Sequence, residues 1–140
     1  MDELTSIINK LKESGEMSFC EGVSEEQIDN FEKEKGVVLP IRLREWYMFS
    51  DGGELFLPAG VQLYGVLHKP TLDLDDDDRP STDFFVIGRL SDGEPILCKK
   101  NSEEICIYDH EADTIRANDK FADFFVFIEE LPKILGINKA

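Results

Sequence analysis

Leu4, Ile7, Ile8 and Leu11 recur at i, i+3, i+4 and i+7, which puts one apolar stripe on an opening helix that Gly15 stops. Ser24 with Gln27 three residues on is a capping-box pattern. It starts a second helix with Ile28 and Phe31 turned inward, and Gly36 ends it. Pro40 has the φ that a first helical position requires, while Leu39 before it is pushed toward extended backbone. A third helix therefore starts at Pro40, buries Leu43, Trp46 and Tyr47, and stops at Gly52 or Gly53.

Beyond residue 60 the period changes. "GVQLYGVL", "DFFVIGRL", "EPILCKK", "EICIYD" and "TIRA" are short, rich in β-branched or aromatic residues and bounded by turn residues. Asp92-Gly93 joins two of them as a hairpin turn. The closing segment returns to helical spacing through Phe121, Phe124, Phe125 and Ile128, with Asn118 or Asp119 as the expected cap. Helices, then an antiparallel meander, then a helix packed on it predict an α+β fold over residues 1–140, a single domain.

Composition sharpens this picture. Hydrophobic residues make up 41% of the 140, enough for a core without disulfide staples. Thirty Asp and Glu against fifteen Lys and Arg give a net charge of -15, which repels nucleic acid and anionic membranes and leaves two readings, a surface that only keeps the chain soluble or one that meets a basic protein partner. No apolar run reaches the ~20 residues of a membrane helix, and the first ten residues lack a secretory pattern, so the expected location is the cytoplasm. Cys20, Cys98 and Cys106 are too few and too uneven for a disulfide framework and read as reduced thiols.

Candidate chemistry is thin. An EF-hand loop counted from Asp73 would place oxygens at Asp75 and Asp77, but it needs Gly at Asp78 and Glu at Phe84. The run is better read as a solvated loop or as a docking surface for a cationic partner. Cys106 and His110 at i, i+4 would share a face only on a helix, and they fall on a strand and a turn. If the intervening loop is symmetric, Cys98 and Cys106 stand opposite each other on one face, a buried apolar pair with a redox bridge as the alternative. No nucleophile elbow, phosphate loop or paired metal-ligand motif is present, so neither an enzyme nor a cofactor is expected.

"VSEEQIDNFEKEKGVVLPIRLREWYMFSDGGEL" resembles the core signature of the SUKH superfamily, which includes fungal regulators of cell-wall synthesis and many bacterial immunity proteins. The matching positions are Ile28, Phe31, Glu32, Gly36, Leu39, Pro40, Tyr47, Gly52 and Gly53; Asp51 departs from the Asn common before the glycines. The resemblance implies a non-catalytic immunity protein that neutralises a secreted toxin, often a nuclease, or else a regulatory module for an endogenous partner; no metal is expected on the spacing grounds above. Partner binding is then expected on acidic positions: Asp75, Asp76, Asp77 and Asp78 in the loop, with Asp51 and Glu54 beside the helix end.

Overall fold

The computed structural model describes residues 2–13, 15–57, 60–68, 70–72, 74, 79–109 and 111–135. Its elements run α1 (Asp2–Leu11), β1 (Glu16–Ser18), α2 (Glu25–Lys35), α3 (Ile41–Phe49), β2 (Gly53–Leu57), β3 (Val61–Leu63), β4 (Phe84–Arg89), β5 (Pro95–Lys99), β6 (Ile105–Asp109), β7 (Thr114–Phe121) and α4 (Phe124–Ile134). The seven strands form one sheet in sequence order, each antiparallel to the next. The α+β expectation is met.

Period-2 alternation sorts the strand side chains onto two faces. Leu55, Val61, Leu63, Phe85, Ile87, Ile96, Cys98, Ile105 and Ile107 join the four helices in the main core. Val86, Leu97, Cys106 and Tyr108 form a smaller cluster on the opposite face. Trp46, fully buried at the centre of the main core, meets the rings of Phe19, Phe49 and Phe124 at 5.5 to 6.2 Å. Its indole N–H donates to Gly52 O at 3.2 Å, so the polar tip of the largest core side chain is satisfied. Arg42 ties three helices together, its guanidinium lying 4.6 Å from the Phe125 ring centroid and 3.0 Å from Glu3.

The helix boundaries follow local chemistry. Ser24 Oγ accepts from Gln27 N at 3.1 Å and Gln27 Oε1 accepts from Ser24 N at 2.8 Å, closing the capping box of α2; Gly36 ends that helix at φ 66°. Pro40 is the residue before α3 and has no side chain to cap it. That role passes to Glu103 of the β5–β6 loop, whose carboxylate accepts from Ile41 N at 2.8 Å and Arg42 N at 3.2 Å. A carboxylate on the exposed amides of a helix N-terminus is favourable for both hydrogen bonding and the helix dipole.

Four expectations change. The third helix closes at Ser50, and the glycine pair lies beyond it, with Gly52 and Gly53 at φ 95° and 117° leading into β2. The strands β1 and β2 are additional. Phe121 belongs to β7, paired with Ile105, and the last helix is capped by Asp123, whose carboxylate accepts from Val126 N at 2.9 Å. Asn118 and Asp119 lie in the strand instead: Phe121, the last residue of β7, is buried as a helical stripe position would be, but it reaches the core from a strand. Finally, Cys98 pairs with Ile105 and Cys106 with Leu97. The loop between them is closed by Lys99 N donating to Glu104 O, which encloses four residues with Asn101 at φ 60°, so Cys98 meets a partner one residue earlier than a loop centred on Ser102 would give. A one-residue offset sends the two thiols to opposite faces of the sheet. All three cysteines are free.

Candidate protein-interaction site

The signature residues of the helical half first build a frame. Glu32 accepts from Leu39 N at 2.6 Å and from Arg44 Nη1 at 2.7 Å, which fixes how the chain passes from α2 into α3. Arg44 also reaches Asp29 at 2.8 Å. Burial works against the guanidinium charge, but the hydrogen bonds to Asp29 and Glu32 outweigh it and hold Arg44 above its ordinary range.

At the far end of α3 the frame delivers Asp51, which is 1% exposed. Its Oδ1 accepts from Val66 N at 2.6 Å, and its Oδ2 accepts from Leu67 N and His68 N, both at 2.8 Å. The His68 ring nitrogen Nδ1 lies 3.1 Å from the same Oδ2. A buried carboxylate is costly unless its lone pairs are used, and here three consecutive main-chain amides use them. The approach depends on glycine: a Cβ on Gly52 would sit 2.7 Å from Leu63 O, and one on Gly65 would sit 2.5 Å from Asp51 O. The Gly-Gly of the signature therefore lets the end of α3 lie against the turn after β3.

That turn, Val66 to His68, separates two depressions. On one side a groove of about 350 Å³ runs along α2, lined by Gln27, Phe31, Glu34 and Lys35 and floored by Val66 and Leu72. On the other a cleft of about 260 Å³ is lined by Ser18, Cys20, Asp51, Glu54, Gln62 and His68. Glu54 is exposed on β2, between Ser18 of β1 and Gln62 of β3. The cleft carries a negative field: burial raises the Cys20 pKa most, and the charges of Asp51 and Glu54 raise it further. Leu67 stands at the apex of the turn, 53% exposed.

The expected partner-facing acids therefore separate. Glu54 is at the surface as expected. Asp51, expected at the surface beside it, is instead buried, with its carboxylate consumed by the turn. Asp75, Asp76, Asp77 and Asp78 lie outside the described residues, as do Asp73 and His110. Among the described residues, no group of three His, Cys, Asp or Glu side chains could hold a metal ion, and no helix is long and apolar enough to cross a membrane. Cys20, Leu67 and His68 carry no motif that marks them in the sequence: Leu67 closes the apolar run "GVQLYGVL", whose pattern predicts strand, and only Gly65 before it hints at a turn.

With this geometry in place, comparison with known proteins gives one result of weight. The SMI1/KNR4 family (SUKH-1) matches residues 22–126, well over half of the chain. The match begins two residues before the α2 cap and ends within α4, so it contains Glu32, Pro40, Asp51, the glycine pair and the whole Val66–His68 turn. No curated protein matches the chain.

Proposed function

The chain belongs to the SMI1/KNR4 (SUKH-1) family, and on that premise we propose that it is a non-catalytic immunity protein, which binds and neutralises a secreted toxin through an acidic surface. The observation that carries the reading is the net charge of -15 on a chain of that family, with Glu54 and the Asp75–Asp78 run as the partner-facing acids. The toxin class that fits is a basic nuclease domain, whose substrate cleft is lined by Lys and Arg to neutralise phosphates. An acidic protein steered onto such a cleft covers it and needs no chemistry of its own. Asp51 contributes from beneath, by holding the surface turn.

The test is a low-salt pulldown with the tagged protein from its own cells, followed by coexpression with the recovered polypeptide. Recovery of one basic toxin-like protein, with growth protected on coexpression, supports the proposal. Binding should weaken by roughly tenfold or more between 50 and 500 mM salt as screening shortens the range of the charges. Unprotected growth despite binding would refute neutralisation. A regulatory or scaffold module for one of the cell's own proteins is the second reading, in keeping with the fungal regulators in the superfamily. Recovery of housekeeping or envelope proteins in place of a toxin favours it.

A further inference from the structure

We propose that the Val66–His68 turn and the cleft behind it are the docking element of this protein: Leu67 inserts as an apolar anchor into a basic protein partner, while the cleft takes a Lys or Arg side chain from the same partner. The proposal rests on the partner-binding reading above and locates it.

A single exposed leucine is ordinary on a protein surface. This one differs in how its turn is built. Three successive amides, Val66, Leu67 and His68, are fixed by the two oxygens of one buried carboxylate. The chain thus uses a costly buried charge to immobilise a turn that holds the Leu67 side chain out in solvent, with His68 half exposed beside it. Rigidity in the free state lowers the ordering cost of binding, which is what a contact element requires and a mere connection does not.

Charge complementarity identifies the occupant. Glu54 and Asp51 line the cleft, and the only other titratable groups among the described lining residues are Cys20 and His68. Their field is felt at Cys20, whose pKa both carboxylates raise after burial. Glu34 adds a carboxylate to the groove on the other side of the turn, where Lys35 is the one cation among the described lining residues. A second copy of this chain would bring a further -15 and be repelled, so the partner is a different and basic protein. An apolar anchor with a charged neighbour is the arrangement that concentrates binding energy in few residues.

Two experiments on the full chain test this. In the first, the thiol reagents carry the charge: a cationic and an anionic methanethiosulfonate are reacted with Cys20, each rate divided by that for 2-mercaptoethanol, with Cys98 and Cys106 protected by burial. The cationic reagent should be favoured by about tenfold, falling about threefold in Glu54→Gln. Equal normalised rates would overturn the cation-accepting cleft.

In the second, Leu67 or, as a still more exposed apolar control at 68%, Ile41 is replaced by p-benzoylphenylalanine and irradiated in the producing cells. The expected result is a crosslink to a basic polypeptide from position 67 alone, lost when Glu54→Lys is added. Crosslinks from 41 but not 67 overturn the docking element and leave the partner-binding reading standing. So does silence at both positions when the wild-type pulldown recovers a basic protein. A crosslink from 67 to a second copy of the chain also overturns it. Silence together with an empty pulldown overturns both.

Discussion

Removing the Asp51 carboxylate should loosen one turn and cost a large part of the stability of the fold. In Asp51→Ala the three amides of Val66, Leu67 and His68 lose their acceptors at 2.6 to 2.8 Å. Hydrogen bonds to a charged group contribute about 1.5–3 kcal/mol each, but water can reach the exposed residues Leu67 and His68 and recover part of the loss. Val66 is buried, so its amide bears the full desolvation penalty. One full loss and two partial ones come to about 3–5 kcal/mol, against a total of about 5–15 for a domain. For a chain of this size that lowers Tm by roughly 10–20 °C. Asp51→Asn should fall between, because Oδ1 and Oδ2 both accept and an amide group can replace only one of them: either orientation turns an NH₂ toward a main-chain N–H, costing about 1–3 kcal/mol. Chemical denaturation gives the totals, and native-state hydrogen exchange at residues 66–68 locates them. Alanine within 0.5 kcal/mol of wild type, with unchanged protection at 66–68, would sink the argument that this carboxylate holds the turn.

Four further outcomes follow from the packing. Gly65→Ala should be at least as damaging as Asp51→Asn, since its Cβ would press on Asp51 itself at 2.5 to 2.8 Å; unaltered thermal stability would mean the contact gives way freely. Tyr47→Phe should be neutral or stabilising by up to about 1 kcal/mol, because the buried Tyr47 hydroxyl has no hydrogen-bond partner among the described residues, and a clear loss in urea denaturation would reveal one. Glu103→Ala should cost about 1–2 kcal/mol by uncapping α3, read as a drop in the denaturation midpoint, and an unchanged midpoint would show that water caps that helix as well. Burial pushes the Cys106 thiol up to about 12, with Glu104 adding to it, and burial pushes Cys98 up as well, against an ordinary value of 9.0. Above pH 9 the unfolded chain ionises these thiols while the folded one keeps them protonated, so stability holds below pH 9 and declines toward pH 12, by at most about 1.4 kcal/mol per pH unit per thiol. A double Cys98→Ala, Cys106→Ala variant with the same alkaline slope would refute that assignment.

Much of this protein is written in its local sequence. The α1 stripe, the Ser24–Gln27 capping box and the Gly36 stop depend on residues within one or two turns of each other, and each stands where the spacing predicts. The β4–β5 hairpin is equally local: Gly93 takes φ 89° and donates to Leu90 O across a three-residue turn. The signature around Pro40 and the glycine pair identified the superfamily because it records a shape, the path from α2 through α3 into the sheet.

Tertiary structure decided the rest. Strands β1 and β2 are short and exist only as pairing partners, so no periodicity announces them. Phe121 satisfies both a helical stripe and an inward strand position, and only its pairing with Ile105 chooses. The cysteines were separated by the parity of a four-residue loop. Asp51 is the clearest case: an aspartate after a helix reads as surface, yet its partners are amides 15 to 17 residues further on, and a main-chain N–H leaves no mark in a sequence. Composition set the charge that selects a partner, and long-range hydrogen bonds set the turn that meets it.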